Sequence, residues 1–295
     1  MSNPSNQSIA GGSLYRLSAF STKPQGGNPA GVWVGPTLPA AAIMQQIAAQ
    51  VGYSETAFIS PQQGIERIIR YYSPQKEIDF CGHATIASGV LLGELDGDGE
   101  YRFNTRVGVV PVRVQSAKGQ RQASLTSVEP RSAPAPSALV EGALDCLHWK
   151  ASDLDPSIPP ARAFAGAWHL VLAVKTAARL ADLHYDFERL KQLMLAEDLT
   201  TLQLVWREND ELFHARNPFP VGGVVEDPAT GAAAAALGGY LRKANLLQAP
   251  TSFTIHQGKH IGRPSHLFVQ VPLVGGIIVS GTAVHLEIGK TLEIN

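Results

Sequence analysis

Two stretches of this chain read as helices with no face to offer to water. Asp79-Phe-Cys-Gly-His-Ala-Thr-Ile-Ala-Ser-Gly-Val-Leu-Leu92 and Glu226-Asp-Pro-Ala-Thr-Gly-Ala-Ala-Ala-Ala-Ala-Leu-Gly-Gly-Tyr-Leu241 are small or apolar around most of the helical circumference. A helix without a polar stripe has to lie inside the protein. Its small side chains let strands approach on every side, so each helix calls for a sheet curled around it. The fold class that follows is α+β, with two similar lobes, each a curled, mostly antiparallel sheet around a central buried helix.

The rest of the sequence supports a duplication. Gly82 and Gly231 lie about half the chain apart, and each is followed seven residues later by another glycine, Gly89 and Gly238. Each is preceded at five residues by a glutamate, Glu77 and Glu226, and further back by Arg70-Tyr-Tyr-Ser-Pro74 or Arg216-Asn-Pro218. Order, spacing and helix composition agree, with a two-residue shift between the halves left open. Strand-like alternation marks Leu14 to Phe20, Glu55 to Ile59, Glu66 to Tyr72, Tyr101 to Val114, Leu170 to Val174, Leu202 to Trp206 and Leu212 to Arg216. Helical spacing marks Pro39 to Val51 and most of Ala177 to Leu195. Residues 127–160 are rich in Pro, Ser and Ala and hold the expected linker in their first part. The polar start, MSNPSNQSIAGGS, reads as a floppy lead-in without the apolar core of a signal peptide.

Composition narrows the function. A net charge of -1 over 295 residues gives no footprint for nucleic acid or a basic membrane surface. No stretch reaches the ~18 to 20 apolar residues of a membrane span, and Leu273 to Val284 reads as buried strands. Two cysteines, Cys81 and Cys146, are too few for a disulfide framework, and the nine histidines show no HExxH or His-x3-His spacing. The reading is therefore no metal signature and a reducing, cytoplasmic location.

The helix starts carry the chemistry. A helix N-terminus offers free backbone N–H groups and the positive end of the dipole, and glycine there admits a ligand close to the backbone. Two such ends facing one cleft would hold a carboxylate or an enolate-like oxyanion. The plain alternative is a pair of buried helices with ordinary caps, Asp227 with Pro228 at the second and Asp79 at the first.

Gly27-Asn-Pro-Ala-Gly31, Ser54-Glu-Thr-Ala-Phe58, Asp79-Phe-Cys-Gly-His-Ala-Thr85, Glu226-Asp-Pro-Ala-Thr-Gly231 and Gln257-Gly258 with Gly262-Arg-Pro-Ser265 together resemble the PhzF-like proteins of phenazine biosynthesis. These belong to the wider diaminopimelate epimerase and proline racemase fold, and the resemblance spans about residues 14–290. It implies an N-terminal lobe of residues 1–130, completed by about 281–295 because the final strand crosses back, and a C-terminal lobe of 131–280. It also implies an active site in the cleft, a homodimer, and a cofactor-free isomerisation. In that reaction a proton leaves one carbon of a small carboxylated, cyclic substrate and returns to another. Residue by residue, Glu55 matches the acid–base carboxylate, His83 the histidine after the first glycine, and Asp227 the aspartate of the second motif. Asn28, Cys81, Gly82, Thr230, Gly231 and Ala232 are the expected substrate-binding positions.

Ala232 departs from the serine common there, which puts the native substrate in question. Cys81-Gly82-His83 resembles the first thiol motif of the two-thiol racemases. The second motif has no thiol, with Thr230 or Pro228 in its place according to register, which disfavours two-base racemisation. Asn28, Lys259 and Arg263 also read as turn residues. Two alternatives stand beside the isomerase: a racemase or epimerase relying on Cys81, and a small-molecule-binding protein that has lost turnover.

Overall fold

The structure is a computed structural model and describes residues 6–117, 119–287 and 292. The chain divides into two compact units, Met1–Thr126 with Ser280–Asn295, and Ser127–Val279.

The first unit opens on a hairpin, β1 (Asn6–Ile9) and β2 (Gly12–Ala19). Its two-residue turn places both Ala10 and Gly11 at positive φ, as tight hairpin turns require. The expected floppy lead-in is thus corrected for residues 6–13. Ile9 is buried, and its carbonyl accepts a hydrogen bond from Trp33 Nε1 at 2.8 Å. Polar residues at the other β1 positions hide this strand from any hydropathy pattern. Next come β3 (Asn28–Val34), α1 (Ala41–Val51), β4 (Glu55–Pro61), β5 (Glu66–Tyr72), the short β6 (Glu77–Ile78), α2 (Gly82–Leu95), β7 (Gly99–Thr105), β8 (Gly108–Ala117) and β9 (Gln120–Thr126).

The second unit holds β10 (Arg131–Pro134), α3 (Ser137–Leu147), β11 (Ala161–Phe164), β12 (Trp168–Ala173), α4 (Ala177–Ala181), α5 (Phe187–Ala196), β13 (Thr201–Asn209), β14 (Leu212–Phe219), β15 (Val224–Asp227), α6 (Gly231–Lys243), β16 (Thr251–Gln257) and β17 (Ser265–Val271). The last strand, β18 (Ile278–His285), returns to the first unit and pairs with β2 and β9. That return closes a ring of strands in the order β2, β3, β4, β5, β7, β8, β9, β18. No helix among the described residues is long and apolar enough to cross a membrane.

The duplication is visible strand by strand. In the first unit β2–β3 is antiparallel, β3–β4 parallel across α1, β4–β5 antiparallel, and β5–β7 parallel across α2. In the second, β11–β12 is antiparallel, β12–β13 parallel across α4 and α5, β13–β14 antiparallel, and β14–β16 parallel across α6. Cross-strand partners repeat too: Phe58 faces Arg70 as Leu204 faces Arg216, and Ala30 pairs with Glu55 as His169 pairs with Thr201. Helices α2 and α6 begin at Gly82 and Gly231 behind the N-cap residues Cys81 and Thr230, so the glycine alignment holds without the two-residue shift.

Both central helices are enclosed. α2 touches β2, β3, β4, β8 and β9, and His83 through Gly93 are all buried. α6 touches β10, β11, β12, β13 and β17, and Ala233 through Leu241 are all buried. The outer faces are covered by amphipathic helices. Met44 and Ile47 of α1 pack on Leu14, Trp33 and Phe58, while α3 and α5 pack on Leu170, Leu172, Leu202 and Leu204. Alternation along the strand then turns His169, Thr201 and Gln203 to the opposite face of β12 and β13. There His169 Nδ1 lies 2.8 Å from Thr201 Oγ1, and Asn217 Nδ2 donates to Thr201 Oγ1 and to Gln203 Oε1.

Two expectations follow. A Cβ at Gly89 would stand 2.8 Å from Ala123 Cβ and 2.9 Å from Val112 Cγ1, whereas one at Gly142 in α3 meets only Leu193 at 3.4 Å. Gly89→Ala should therefore cost about 1–3 kcal/mol by overpacking. Gly142→Ala should be neutral or stabilise by up to about 1 kcal/mol through helix propensity. Urea denaturation of both variants reads the contrast.

Burial lowers the pKa of His169 from 6.5 to about 3, with its contact to Thr201 opposing the shift. Because the folded value lies below the unfolded one, the unfolded chain binds the extra proton between them. The contribution to stability is whole above about pH 6.5 and falls away as the pH drops toward 3. Stability should fall by on the order of 2 kcal/mol between pH 7 and pH 5 from this group. His169→Gln should flatten that fall in urea titrations at the two pH values, and an equal fall in the variant would count against the assignment.

Candidate active site

In the first unit, three elements deliver their side chains to one point. Parallel pairing of β3 with β4 brings Asn28, at the start of β3, near Glu55, at the start of β4. Gly27 makes the entry into β3 possible. Its φ is +73, and a Cβ there would stand 2.4 Å from the Ala19 carbonyl oxygen. The crossover from β5 then feeds α2, whose first turn carries Cys81 and His83. His83 Nε2 lies 3.4 Å from Glu55 Oε2 and 3.4 Å from Ser54 Oγ. Asn28 Nδ2 lies 3.2 Å from His83 Nδ1, and Cys81 Sγ lies 3.3 Å from the same nitrogen. An amide N–H can only donate, so in this orientation Nδ1 accepts and the imidazole proton sits on Nε2, facing Glu55. Asn28, Cys81 and His83 are buried, and the Glu55 side chain is 14% exposed.

No side chain caps α2. The first intrahelical bond runs from Thr85 N to the Cys81 carbonyl, leaving the earlier N–H groups directed beyond the helix end. Thr85 holds that turn in place. Its hydroxyl donates to the Cys81 carbonyl at 2.6 Å and also meets Tyr71 OH at 2.7 Å. The expected Asp79 cap is corrected: Asp79 is exposed and pairs with Arg106 Nε at 3.2 Å.

In the second unit, α6 is likewise without a side-chain cap, and its first bond runs from Ala234 N to the Thr230 carbonyl. Asp227 ends β15 and is not the N-cap, so that alternative is corrected as well. Its Oδ2 accepts from Thr230 Oγ1 at 2.5 Å. Gln257, buried and assigned no role from sequence, clamps this turn. Its Nε2 donates to the Asp227 carbonyl at 2.8 Å and to Thr230 Oγ1 at 3.1 Å, and its Oε1 accepts from Thr230 N at 3.3 Å. Gly258 follows at φ +73, where a Cβ would stand 2.3 Å from the Arg263 carbonyl oxygen. Gly231 is buried and Ala232 partly so, at the places where the first unit has Gly82 and His83.

The repeated order of Arg and then Glu ahead of each helix becomes a repeated ion pair. Arg216 grips Glu226 through Nη2 at 2.6 Å and Nε at 3.1 Å, with the carboxylate fully buried. Arg70 Nε and Glu77 are 3.8 Å apart and partly exposed. Glu55, Cys81 and His83 also form a metal-capable donor set that linear spacing does not reveal. A depression in the second unit, bordered by Arg207, Asp210, Arg242 and Leu273, includes none of the residues singled out from sequence.

Comparison with known proteins identifies the family. The family model for phenazine biosynthesis-like protein, PhzC-PhzF, matches residues 17–289. The uncharacterized isomerase YfhB of Bacillus subtilis is 29% identical, with 93% of this chain and 96% of that protein covered. The trans-2,3-dihydro-3-hydroxyanthranilate isomerase of Pseudomonas aeruginosa is 28% identical, with 93% and 97% covered. In fold, the PhzF-family protein of Bacillus anthracis matches with a TM-score of 0.82 at 23% identity, covering 92% of this chain and 96% of that one. With its duplicated fold and its motifs in place, the chain belongs to the phenazine biosynthesis-like family, and with it to a group of isomerases.

Proposed function

We propose that this isomerase moves a proton between two carbons of a small carboxylated, cyclic substrate, and that Glu55 takes and returns the proton. The observation that carries the reading is Glu55 Oε2 held 3.4 Å from His83 Nε2 beside the uncapped start of α2. Removing a proton from a carbon next to a carboxylate drives negative charge onto oxygen. Backbone N–H groups and the positive end of a helix stabilise such charge without having to reorganise. His83 serves as a hydrogen-bond donor, its Nε2 proton placed by the contact of Asn28 with Nδ1. A carboxylate so placed can collect a carbon-bound proton and deliver it to a neighbouring carbon of the same ring. Asp227 and the α6 start at Gly231, with Thr230 and Ala232 beside them, are assigned to substrate binding on their motif, and so is Cys81 beside His83 on its own motif. A homodimer and a cytoplasmic location belong to the same reading and rest on the family.

The relatives named for trans-2,3-dihydro-3-hydroxyanthranilate make it the first compound to try. In deuterated water the wild-type chain should place solvent deuterium on a ring carbon. Glu55→Gln should keep its circular dichroism spectrum and lose exchange by about 10²–10⁴-fold, the usual range for a removed general base. Exchange at the wild-type rate in that variant, followed by NMR, would remove Glu55 from its role.

A further inference from the structure

We propose that Glu55, Cys81 and His83 also form a binding site for one soft divalent cation of the Zn²⁺ kind, and that capture of the ion silences proton transfer at Glu55. The second half of this inference rests on the function proposed above, and the first half does not. One ligand atom from each residue lies within 4.8 Å of the others. Zinc takes nitrogen at ~2.0–2.1 Å, carboxylate oxygen at ~2.0–2.2 Å and sulfur at ~2.3 Å in tetrahedral array, so its donors sit ~3.4 Å (N to O) and ~3.6 Å (N to S) apart. Here Glu55 Oε2 is 3.4 Å and Cys81 Sγ 3.8 Å from His83 Nε2. Two of the three donor pairs already stand at nearly the edge lengths of a metal tetrahedron, and the third, Glu55 to Cys81, lies within 4.8 Å. Because Sγ lies closer still to Nδ1, at 3.3 Å, capture needs a turn of Cys81 about χ1.

The donor chemistry selects the ion. Thiolate, imidazole and one carboxylate suit Zn²⁺ or Co²⁺ and not Mg²⁺ or Ca²⁺, which demand oxygen shells. Two anionic donors cancel the charge of the ion, which offsets its repulsion by the helix dipole. Proton accounting is simple. The thiol gives its proton to solvent, while the imidazole keeps one proton and moves it from Nε2 to Nδ1. Asn28 then turns its amide so that Oδ1 accepts from Nδ1–H, the outer contact that metal-bound histidines ordinarily have. The fourth position stays open to water or to a substrate carboxylate. With Oε2 and Nε2 both committed to the ion, Glu55 cannot shuttle a proton.

Titrating the full, metal-free chain with Co²⁺ in the absence of substrate tests the site. The expected result is one Co²⁺ per chain, a thiolate-to-cobalt charge-transfer band, four-coordinate visible bands, and displacement by Zn²⁺. Cys81→Ala should abolish the charge-transfer band, and Cys146→Ala should leave it intact. Glu55→Gln and His83→Gln should each weaken Co²⁺ uptake by about tenfold or more. Absence of the band in the full chain, its survival in Cys81→Ala, or undiminished uptake in both Glu55→Gln and His83→Gln would overturn the site. Zn²⁺ should suppress solvent exchange stoichiometrically, with recovery on chelation, and undiminished exchange in the Zn²⁺-loaded chain would overturn the silencing. Exchange by the metal-free chain is read separately, so a chain that binds Co²⁺ and exchanges nothing loses the proposed function and keeps the metal site.

Discussion

The constraint on which this structure depends is the enclosure of a helix by strands. A helix normally buries one stripe and shows the rest to water. α2 buries His83 through Gly93 and α6 buries Ala233 through Leu241, so their side chains must be small enough for strands to close around them. Gly89 lies against Val112, Val114 and Ala123, and Gly238 lies against Val269, Val271 and Ile277. The valines belong to β8 and β17, which correspond in the two units, so the glycine is kept where the same strand presses on the same helix turn. Enclosure also dictates where chemistry can occur. Buried along its length, each helix has only its ends for polar work, and its N-terminus is the end that leaves donors unsatisfied.

The duplication supplies the scaffold twice, but the functional groups are divided unequally. Glu55 of the first unit corresponds to Thr201 of the second, His83 to Ala232, and Cys81 to Thr230. The Glu55 carboxylate therefore has no counterpart in the second unit. The place of Glu55 is held there by a buried neutral cluster of Thr201, His169, Gln203 and Asn217. The ion pairs divide the other way. Arg216 with Glu226 is enclosed, while Arg70 with Glu77 is partly open. Burying a pair gives little net stability, but losing one partner strands a charge and costs several kcal/mol. The second unit thus spends its buried charge on fixing the β14–β15 corner that leads into Asp227, and the first keeps its charge at the helix mouth.

Much of this was legible in the sequence, for physical reasons that can be named. Buried helices announce themselves by lacking polar residues, and the repeat by fixed spacing between glycines, so both helices and the duplicated order of strands were readable. Glu55 and His83 were readable only through their motifs, because the pairing that joins them is a parallel β3–β4 contact and a crossover, invisible to any local pattern. Three features escaped. β1 is polar and is set by its turn and by the Trp33 contact. α3 hides in a stretch of prolines, serines and alanines and is held by Leu139, Leu144 and Leu147 against the sheet. Gln257 carried no role in the sequence beyond its motif, yet its side chain is the clamp on the Asp227–Thr230 turn. Caps misled in both units: acidic residues near a helix start suggested ordinary N-caps, while the structure puts Cys81 and Thr230 there and leaves both ends without one.

Those missing caps are the clearest sign of what the ends are for. A serine, threonine, asparagine or aspartate at an N-cap stabilises a helix by typically ~1 kcal/mol. Thr230 stands at the cap position of α6 and turns its hydroxyl to Asp227 instead. Cys81 stands at that of α2, where its thiol lies against His83. At α6 a stabilising contact within easy reach is forgone, and in both units the first turn is left without a side-chain cap. Stability is given up in this way where a site must receive negative charge from elsewhere. In the reaction proposed above, an anionic substrate developing further charge as its proton leaves would complete the α2 turn as a cap residue does, and only while it is bound.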